Sequence, residues 1–318
     1  MNRILIIQTA FLGDVILATP VVSELKRMYP SAEIDFLVKK GTESLLANNP
    51  KINAVYTFDK SKGKLKGIRS FIRQFRKNEY DLTINLHRFG SSGLIAGLSG
   101  AKIRFGFKKN PFSFLYTKKF DHKIGDGTHE VSRNLSLISE FGAVQILRPE
   151  LFPSQEDFKR VESYQNHPYL CIAPASVWFT KQLPEEKWVE LIDQNQELKI
   201  YALGGPGDSE LIDRIVHKSK HTNIENLSGQ LSLLQSAALM KKATRNYVND
   251  SGPLHLASAM NATVTAYFCS TIPEFGFGPL SEDSTIKQVM DLNCRPCGLH
   301  GHKSCPQEHF KCGKEMVL

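Results

Sequence analysis

No apolar run in the 318-residue chain approaches the roughly 18 residues a membrane span needs, and the N-terminal stretch Ile4 to Ile7 is too short for a signal-peptide core. The expected location is therefore the cytoplasm. Cysteine is scarce, with 6 in all, and 22 glycines and 15 prolines are too few for a collagenous or low-complexity chain. A disulfide-stapled miniprotein is excluded by the same numbers. What the chain has is material for packed cores: 41% of residues are hydrophobic and 23% charged, and the length favours two compact domains over one.

Acidic residues are short in one half only. The first 150 residues hold 24 Lys and Arg against 13 Asp and Glu, a balance of +11, whereas the remaining 168 hold 16 against 19, a balance of −3. Such asymmetry suggests that the first half meets an anionic partner: nucleic acid, a phosphorylated metabolite or a membrane surface. The second half has another task.

The run Arg3 to Thr9 reads as a buried strand, followed by the turn Phe11-Leu12-Gly13-Asp14 and a helix with Val15, Ala18, Val22, Leu25 and Met28 on one face. Strands at Ile34 to Val38, Ala54 to Phe58 and Leu82 to Leu86 follow, with helix-length segments between. Alternation of this kind predicts a parallel, doubly wound sheet. Pro149, Pro153 and Pro168 mark a linker, beyond which the alternation restarts with strands at Tyr169 to Ala173, Lys199 to Leu203, Tyr247 to Asn249 and Thr263 to Phe268. The reading is an N-terminal domain over 1–150, a C-terminal domain over 151–293, both Rossmann-like, and a Cys-rich tail over 294–318. Ligands of tandem domains of this type sit in a cleft at the carboxyl ends of the strands.

Four strand-to-helix turns carry candidate chemistry. Asp14 is placed to serve as a general base or to cap its helix. Ser176, Thr180 and Lys181, in the loop before Pro184, offer hydroxyls and one cation to a diphosphate; a solvated loop lysine is the plainer alternative. The segment Asn249-Asp250-Ser251-Gly252-Pro253-Leu254-His255 opens a helix whose N–H groups suit an anion, although Asp250 and Ser251 are also ordinary caps and His255 an ordinary core histidine. The turn Gly204-Gly205-Pro206-Gly207-Asp208 adds Gly205 and Asp208 to the set, though such a turn needs no ligand to explain it. Together the turns of the second half point to a nucleotide-binding domain.

In order and spacing, the Gly13-Asp14 turn with Val15 to Pro20, Thr180-Lys181 before Pro184, Gly204 to Asp208, and Asn249 to His255 resemble the ADP-heptose:lipopolysaccharide heptosyltransferase family, glycosyltransferase family 9. The resemblance implies an α/β fold of the GT-B type, two Rossmann-like domains facing a central cleft, with the acceptor on the first and the nucleotide sugar on the second. It makes Asp14 the catalytic base and Lys181 the lysine on the diphosphate. Asp250, Ser251, Gly252 and His255 match the donor motif, with Ser251 where many relatives have Thr. Gly13, His87, Arg88, Ser91 and Ser92 are then candidates for the acceptor sugar or phosphate. The implied reaction is an inverting transfer of a heptose or related sugar from an ADP-sugar to a lipopolysaccharide core or lipid-linked acceptor. No Asp-x-Asp pair argues for a divalent cation, so no cofactor is expected for catalysis.

Two features lie outside those motifs. From Lys60 to Asn78 there are eight basic residues and no acidic one, with Ile68, Phe71, Ile72 and Phe75 on one helical face. This is either a solvated face over a core stripe or a basic helix drawn to anionic lipid, which would place the enzyme peripherally on the inner face of the plasma membrane. The tail carries Cys294, Cys297, Cys305 and Cys312 among His300, His302 and His309, a pattern open to a structural zinc, free thiols or disulfides. Competing readings are a GT-B-like sugar-nucleotide epimerase or hydrolase, a family member using another sugar nucleotide, and a non-catalytic relative. A nucleic-acid-binding protein would leave the nucleotide turns without a use, and no helix-turn-helix, zinc-finger or RNP pattern is present.

Overall fold

The structure is a computed structural model that describes residues 1–146 and 148–318. Its first strand, β1 (Arg3–Gln8), buries every residue after Arg3. A strand buried on both faces belongs at the centre of a parallel sheet covered by helices. Around it the chain builds α1 (Leu12–Ile16), α2 (Thr19–Met28), β2 (Glu33–Lys39), β3 (Ala54–Phe58), α3 (Lys64–Asn78), β4 (Leu82–Asn85), α4 (Gly90–Gly97), β5 (Ile103–Phe107), β6 (Lys118–Phe120) and α5 (Glu130–Ser136). The sheet order is β3-β2-β1-β4-β5-β6 with all pairs parallel.

The second half repeats the plan with α6 (Gln155–Val161), β7 (Tyr169–Ala173), α7 (Glu185–Asp193), β8 (Lys199–Ala202), α8 (Ser209–Lys218), β9 (Ile224–Asn226), α9 (Leu233–Lys242), β10 (Arg245–Asn249), α10 (Gly252–Ala259), β11 (Val264–Phe268), β12 (Ser284–Gln288) and α11 (Lys311–Lys314). Its order, β12-β11-β10-β7-β8-β9, is the first sheet's topology again. In both, the chain winds one way from the first strand and then the other. This creates a switch point between β1 and β4 and another between β7 and β10, where side chains at the carboxyl ends are open to a ligand.

The chain divides into two compact units, Met1–Ile124 with Glu130–Phe152, and Gly125–His129 with Pro153–Leu318. Residues 294–318 belong to the second unit. Phe310, Cys312 and Met316 join Trp188, Tyr267 and Leu191 in its core.

Where one helix is expected after the first strand, two form. Pro20 has no N–H to offer the Ile16 carbonyl, which instead accepts the Thr19 hydroxyl at 2.8 Å. The stripe of α3 is core: Ile68 and Phe75 are buried with Leu5, Ile7, Phe58 and Tyr80, and Phe71 and Ile72 pack against them. Truncating a buried phenylalanine costs roughly 3–5 kcal/mol. The charges on the opposite, exposed face of α3 are thus separable from folding; the apolar stripe is not.

Candidate active site

In the first unit β1 and β4 pair in register, Ile7 beside Asn85, so their next residues share the carboxyl edge. Thr9 Oγ1 lies 2.8 Å from His87 Nδ1 there. His87 is buried, and burial, reinforced by Lys60 and Arg88, pushes its pKa down to about 4. The imidazole is neutral at physiological pH. Asn110 Nδ2 donates to the carbonyls of His87 and Phe89, at 3.0 Å each, which fixes this loop. Gly93 makes room for it, since a Cβ there would stand 1.9 Å from Asn110 Oδ1. Ser92 donates its hydroxyl to Phe89 O at 2.8 Å and is occupied within α4, and Ser91 is buried. Arg88 is half-buried.

Asp14 is the third residue of α1, not its N-cap: that position is Phe11, in extended conformation. The carboxylate still caps, accepting the Phe11 N–H through Oδ2 at 3.1 Å. Gly13 and Asp14 are both partly exposed. Burial, followed by the charge of Glu130, raises the Asp14 pKa to about 6 against the Phe11 N–H and Arg88. A carboxylate in that range is ionised at pH 7 and a far better proton acceptor than an ordinary aspartate. The side chain that caps α1 is thus also one that can accept a proton.

Glu130 is absent from the residues singled out in the sequence. It is buried, accepting from Arg133 Nε at 2.7 Å and lying 3.1 Å from His122 Nε2. Burial pushes its pKa up, and His122 and Arg133 more than reverse this, leaving the carboxyl below its usual range. The trio is anchored beside the α1–α2 junction, where Asn134 Nδ2 donates to Leu17 O at 3.3 Å.

In the second unit the loop after β7 meets the end of β10. Asn249 braces them, donating to Pro174 O at 2.7 Å and accepting from Leu183 N–H at 2.9 Å. Lys181 Nζ is held 2.7 Å from Asp250 Oδ2, with the two side chains 17% and 6% exposed. Thr271, not read from sequence, donates to the same oxygen at 2.5 Å. His255 completes the group: burial drives its pKa down to about 3, with Asp250 opposing and His129 and Lys181 adding to the fall, and its Nδ1 is buried without a hydrogen-bond partner. A buried ring nitrogen with no partner in the protein, in the first turn of α10, is free to meet a polar group.

Other expected residues are placed differently. Thr180 is buried, its hydroxyl accepting from His302 N–H at 2.8 Å and from Ser270 Oγ at 3.0 Å, so it is committed to the loop's interior. Ser176 is partly exposed, with its carbonyl accepting from Gln182 Nε2 at 2.7 Å. Ser251, the extended N-cap of α10, directs its hydroxyl to Asn249 O at 3.4 Å, and Gly252 begins the helix. The Gly204 to Asp208 turn closes on itself, Gly205 N–H donating to Asp208 Oδ2 at 2.7 Å.

Among the described residues, no three or more His, Cys, Asp or Glu side chains are gathered so as to hold a metal ion. Cys294, Cys297 and Cys305 do lie close enough to Cys312 to raise its pKa, after burial, to about 12. The Cys297 thiol donates to Cys294 O at 3.0 Å, Cys294 Sγ lies 3.9 Å from His309 Nε2, and Cys312 is packed in the core. No helix among the described residues is long and apolar enough to cross a membrane.

The model of the family described as glycosyltransferase family 9 (heptosyltransferase) matches residues 68–309. Lipopolysaccharide heptosyltransferase 3 of Escherichia coli (strain K12) is 30% identical over 283 residues, covering 81% of this chain and 80% of that one. A glycosyl transferase family 9 protein from Veillonella parvula DSM 2008 superposes with a TM-score of 0.81 at 22% identity, covering 91% of this chain and 86% of that one. The ADP-heptose lps heptosyltransferase II of E. coli gives a TM-score of 0.79 at 21% identity, covering 99% and 98%. At these identities the two structures speak for the fold.

Proposed function

The chain belongs to glycosyltransferase family 9, the heptosyltransferases, and from that membership we propose that it moves heptose from ADP-heptose to a lipopolysaccharide core or lipid-linked acceptor, inverting the anomeric centre. The observation that carries the reading is the switch-point group of the second unit: Lys181 paired with Asp250, with the unpartnered His255 Nδ1 beside it. A nucleoside diphosphate offers acceptor oxygens to the remaining N–H groups of Lys181, to the His255 ring and to the N-terminus of α10. The relative with 99% coverage is named for ADP-heptose, and the 30% identical one for lipopolysaccharide.

In the proposed reaction Asp14 takes the proton of an acceptor hydroxyl as its oxygen bonds to the anomeric carbon. The bond from that carbon to the diphosphate oxygen breaks on the opposite face, and ADP leaves as an anion. Lys181 and the N-terminus of α10 hold its developing charge. One base and one displacement give inversion. Family membership makes the protein a glycosyltransferase, and the fold is GT-B in type, two Rossmann-like units.

The same reading puts the enzyme in the cytoplasm, peripheral on the inner face of the plasma membrane. The exposed basic face of α3 would approach anionic lipid or the phosphates of the acceptor, each basic residue worth about 1 kcal/mol near such a surface. A thermal-shift series with ADP, GDP and UDP tests the donor. ADP at a hundred times its Kd raises stability by roughly 2.7 kcal/mol, and a preference for GDP or UDP would overturn the assignment of the donor.

A further inference from the structure

The tail is bound to the Lys181 loop by more than packing. Thr180 N–H donates to His302 O at 3.1 Å and His302 N–H returns a bond to Thr180 Oγ1 at 2.8 Å. Ser270 joins them from the end of β11, its N–H donating to Thr180 O at 3.2 Å, and Cys297 N–H donates to Ser270 O at 3.0 Å. His302 Nε2 reaches Cys297 O at 2.7 Å, so a single side chain ties the tail's two crossing points together. Arg295 donates to the carbonyls of Cys269 at 2.7 Å and Thr271 at 2.6 Å, holding the strand end that presents the Thr271 hydroxyl to Asp250.

Gly301 shows how close the approach is. A Cβ at this buried position would lie 2.5 Å from Trp178 Cβ and 2.8 Å from Lys181 Cγ. The tail thus presses on the stem of the very lysine whose ammonium pairs with Asp250. Side chains that must act together are most effective when the shell behind them fixes their rotamers.

We propose that residues 295–302 are a positioning clasp for the donor site, in which Gly301 and His302 hold the Thr180–Lys181 loop and Arg295 holds Thr271, so that Lys181, braced by Asp250, meets the donor diphosphate already arranged. The clasp acts through Lys181 and Asp250 and touches no reacting atom. Its role rests on the proposed donor site, but its mechanical part does not.

Two substitutions in the full chain test it. Gly301→Ala forces the loop away from the tail, and His302→Ala removes only the Nε2 bond to Cys297 O, with His302→Gln as the conservative variant that can still donate. Misplacement of a catalytic group by about 1 Å costs up to about a hundredfold, so a rise of about tenfold in ADP Kd and a comparable fall in kcat are expected for Gly301→Ala. A smaller change in the same direction is expected for His302→Ala, largely restored in His302→Gln. Amide hydrogen exchange over residues 178–183 is expected to accelerate in both disruptive variants, whichever nucleotide the protein binds.

Unchanged exchange and unchanged ADP affinity in a folded Gly301→Ala protein would overturn the clasp. Should that variant fail to fold, the same pair of results in His302→Ala overturns it. Accelerated exchange in a protein whose wild-type form ignores ADP would instead leave the clasp standing and refute the donor.

Discussion

Replacing Asp14 by Asn should move activity and stability in opposite directions. The Asp14 pKa is raised from 3.8 to about 6 by burial and then by Glu130, a displacement of about two pH units. At 1.36 kcal/mol per unit this sets a ceiling of roughly 3 kcal/mol. Solvent reaches part of the residue, so about 1–3 kcal/mol is the working range. The sign follows from proton binding. A carboxyl whose folded pKa lies above its unfolded value binds its proton more tightly in the fold, so its contribution is fully present below about pH 4 and is lost as pH rises through about 6. Wild type carries that cost at pH 8. The substituted amide cannot ionise and is spared it, and its oxygen can still accept the Phe11 N–H. Asp14→Asn is therefore expected to be more stable than wild type at pH 8, the gap closing towards pH 4. Turnover should fall by roughly 100-fold or more with donor affinity nearly unchanged. Denaturant melts at pH 4 to 8 and steady-state kinetics with saturating donor are the assays. A variant with wild-type turnover removes Asp14 from the chemistry, and a pH-independent stability difference refutes the electrostatic account of its environment.

Glu130→Gln removes the second cause of the raised Asp14 pKa and leaves the first, so the acid limb of kcat/KM should move to lower pH without reaching that of an ordinary aspartate; an unmoved limb disproves the coupling. Lys181→Ala should lower both kcat and donor affinity, because the ammonium is worth more on the departing diphosphate than on the bound donor, and Lys181→Arg should retain part of each. The alanine variant also leaves Asp250 buried with Thr271 alone, so its melting temperature must be read beside its kinetics. Turnover in EDTA should match that in added magnesium; loss of activity in the chelator would put a metal where Lys181 is proposed. Replacing Lys62, Lys64, Lys66 and Arg69 by Gln should weaken association with anionic liposomes and raise the acceptor KM while sparing ADP binding, and wild-type binding should itself fade with salt. Liposome binding that survives the four changes at low salt would leave this basic segment merely solvated.

What was legible from sequence is what periodicity and turn chemistry encode. Buried parallel strands such as β1 and β7 are continuous apolar runs, and Asp14, Lys181 and Asp250 lie in the segments that follow β1, β7 and β10, beside the glycines and prolines that mark a change of element. What stayed hidden depends on neighbours far along the chain. Thr180 reads as a free hydroxyl until Ser270 and His302, 90 and 122 residues away, take it up. Asp208 reads as a ligand group, and its Oδ2 also closes its own turn on the Gly205 N–H. Glu130 sits in a segment without a motif, and only the fold of α5 against the α1–α2 junction brings its charge to bear on Asp14. The same distinction orders the site. Groups at strand ends are set by the sheet, whose register is fixed by strands buried on both faces, whereas their pKa values and rotamers are set by a second layer of side chains with no periodic signature. Variation in Glu130, His302 or Arg295 can therefore retune the site while every strand-end motif remains intact, and so the tail and α5, more than the motifs, are where substitutions should alter rate without altering the reaction.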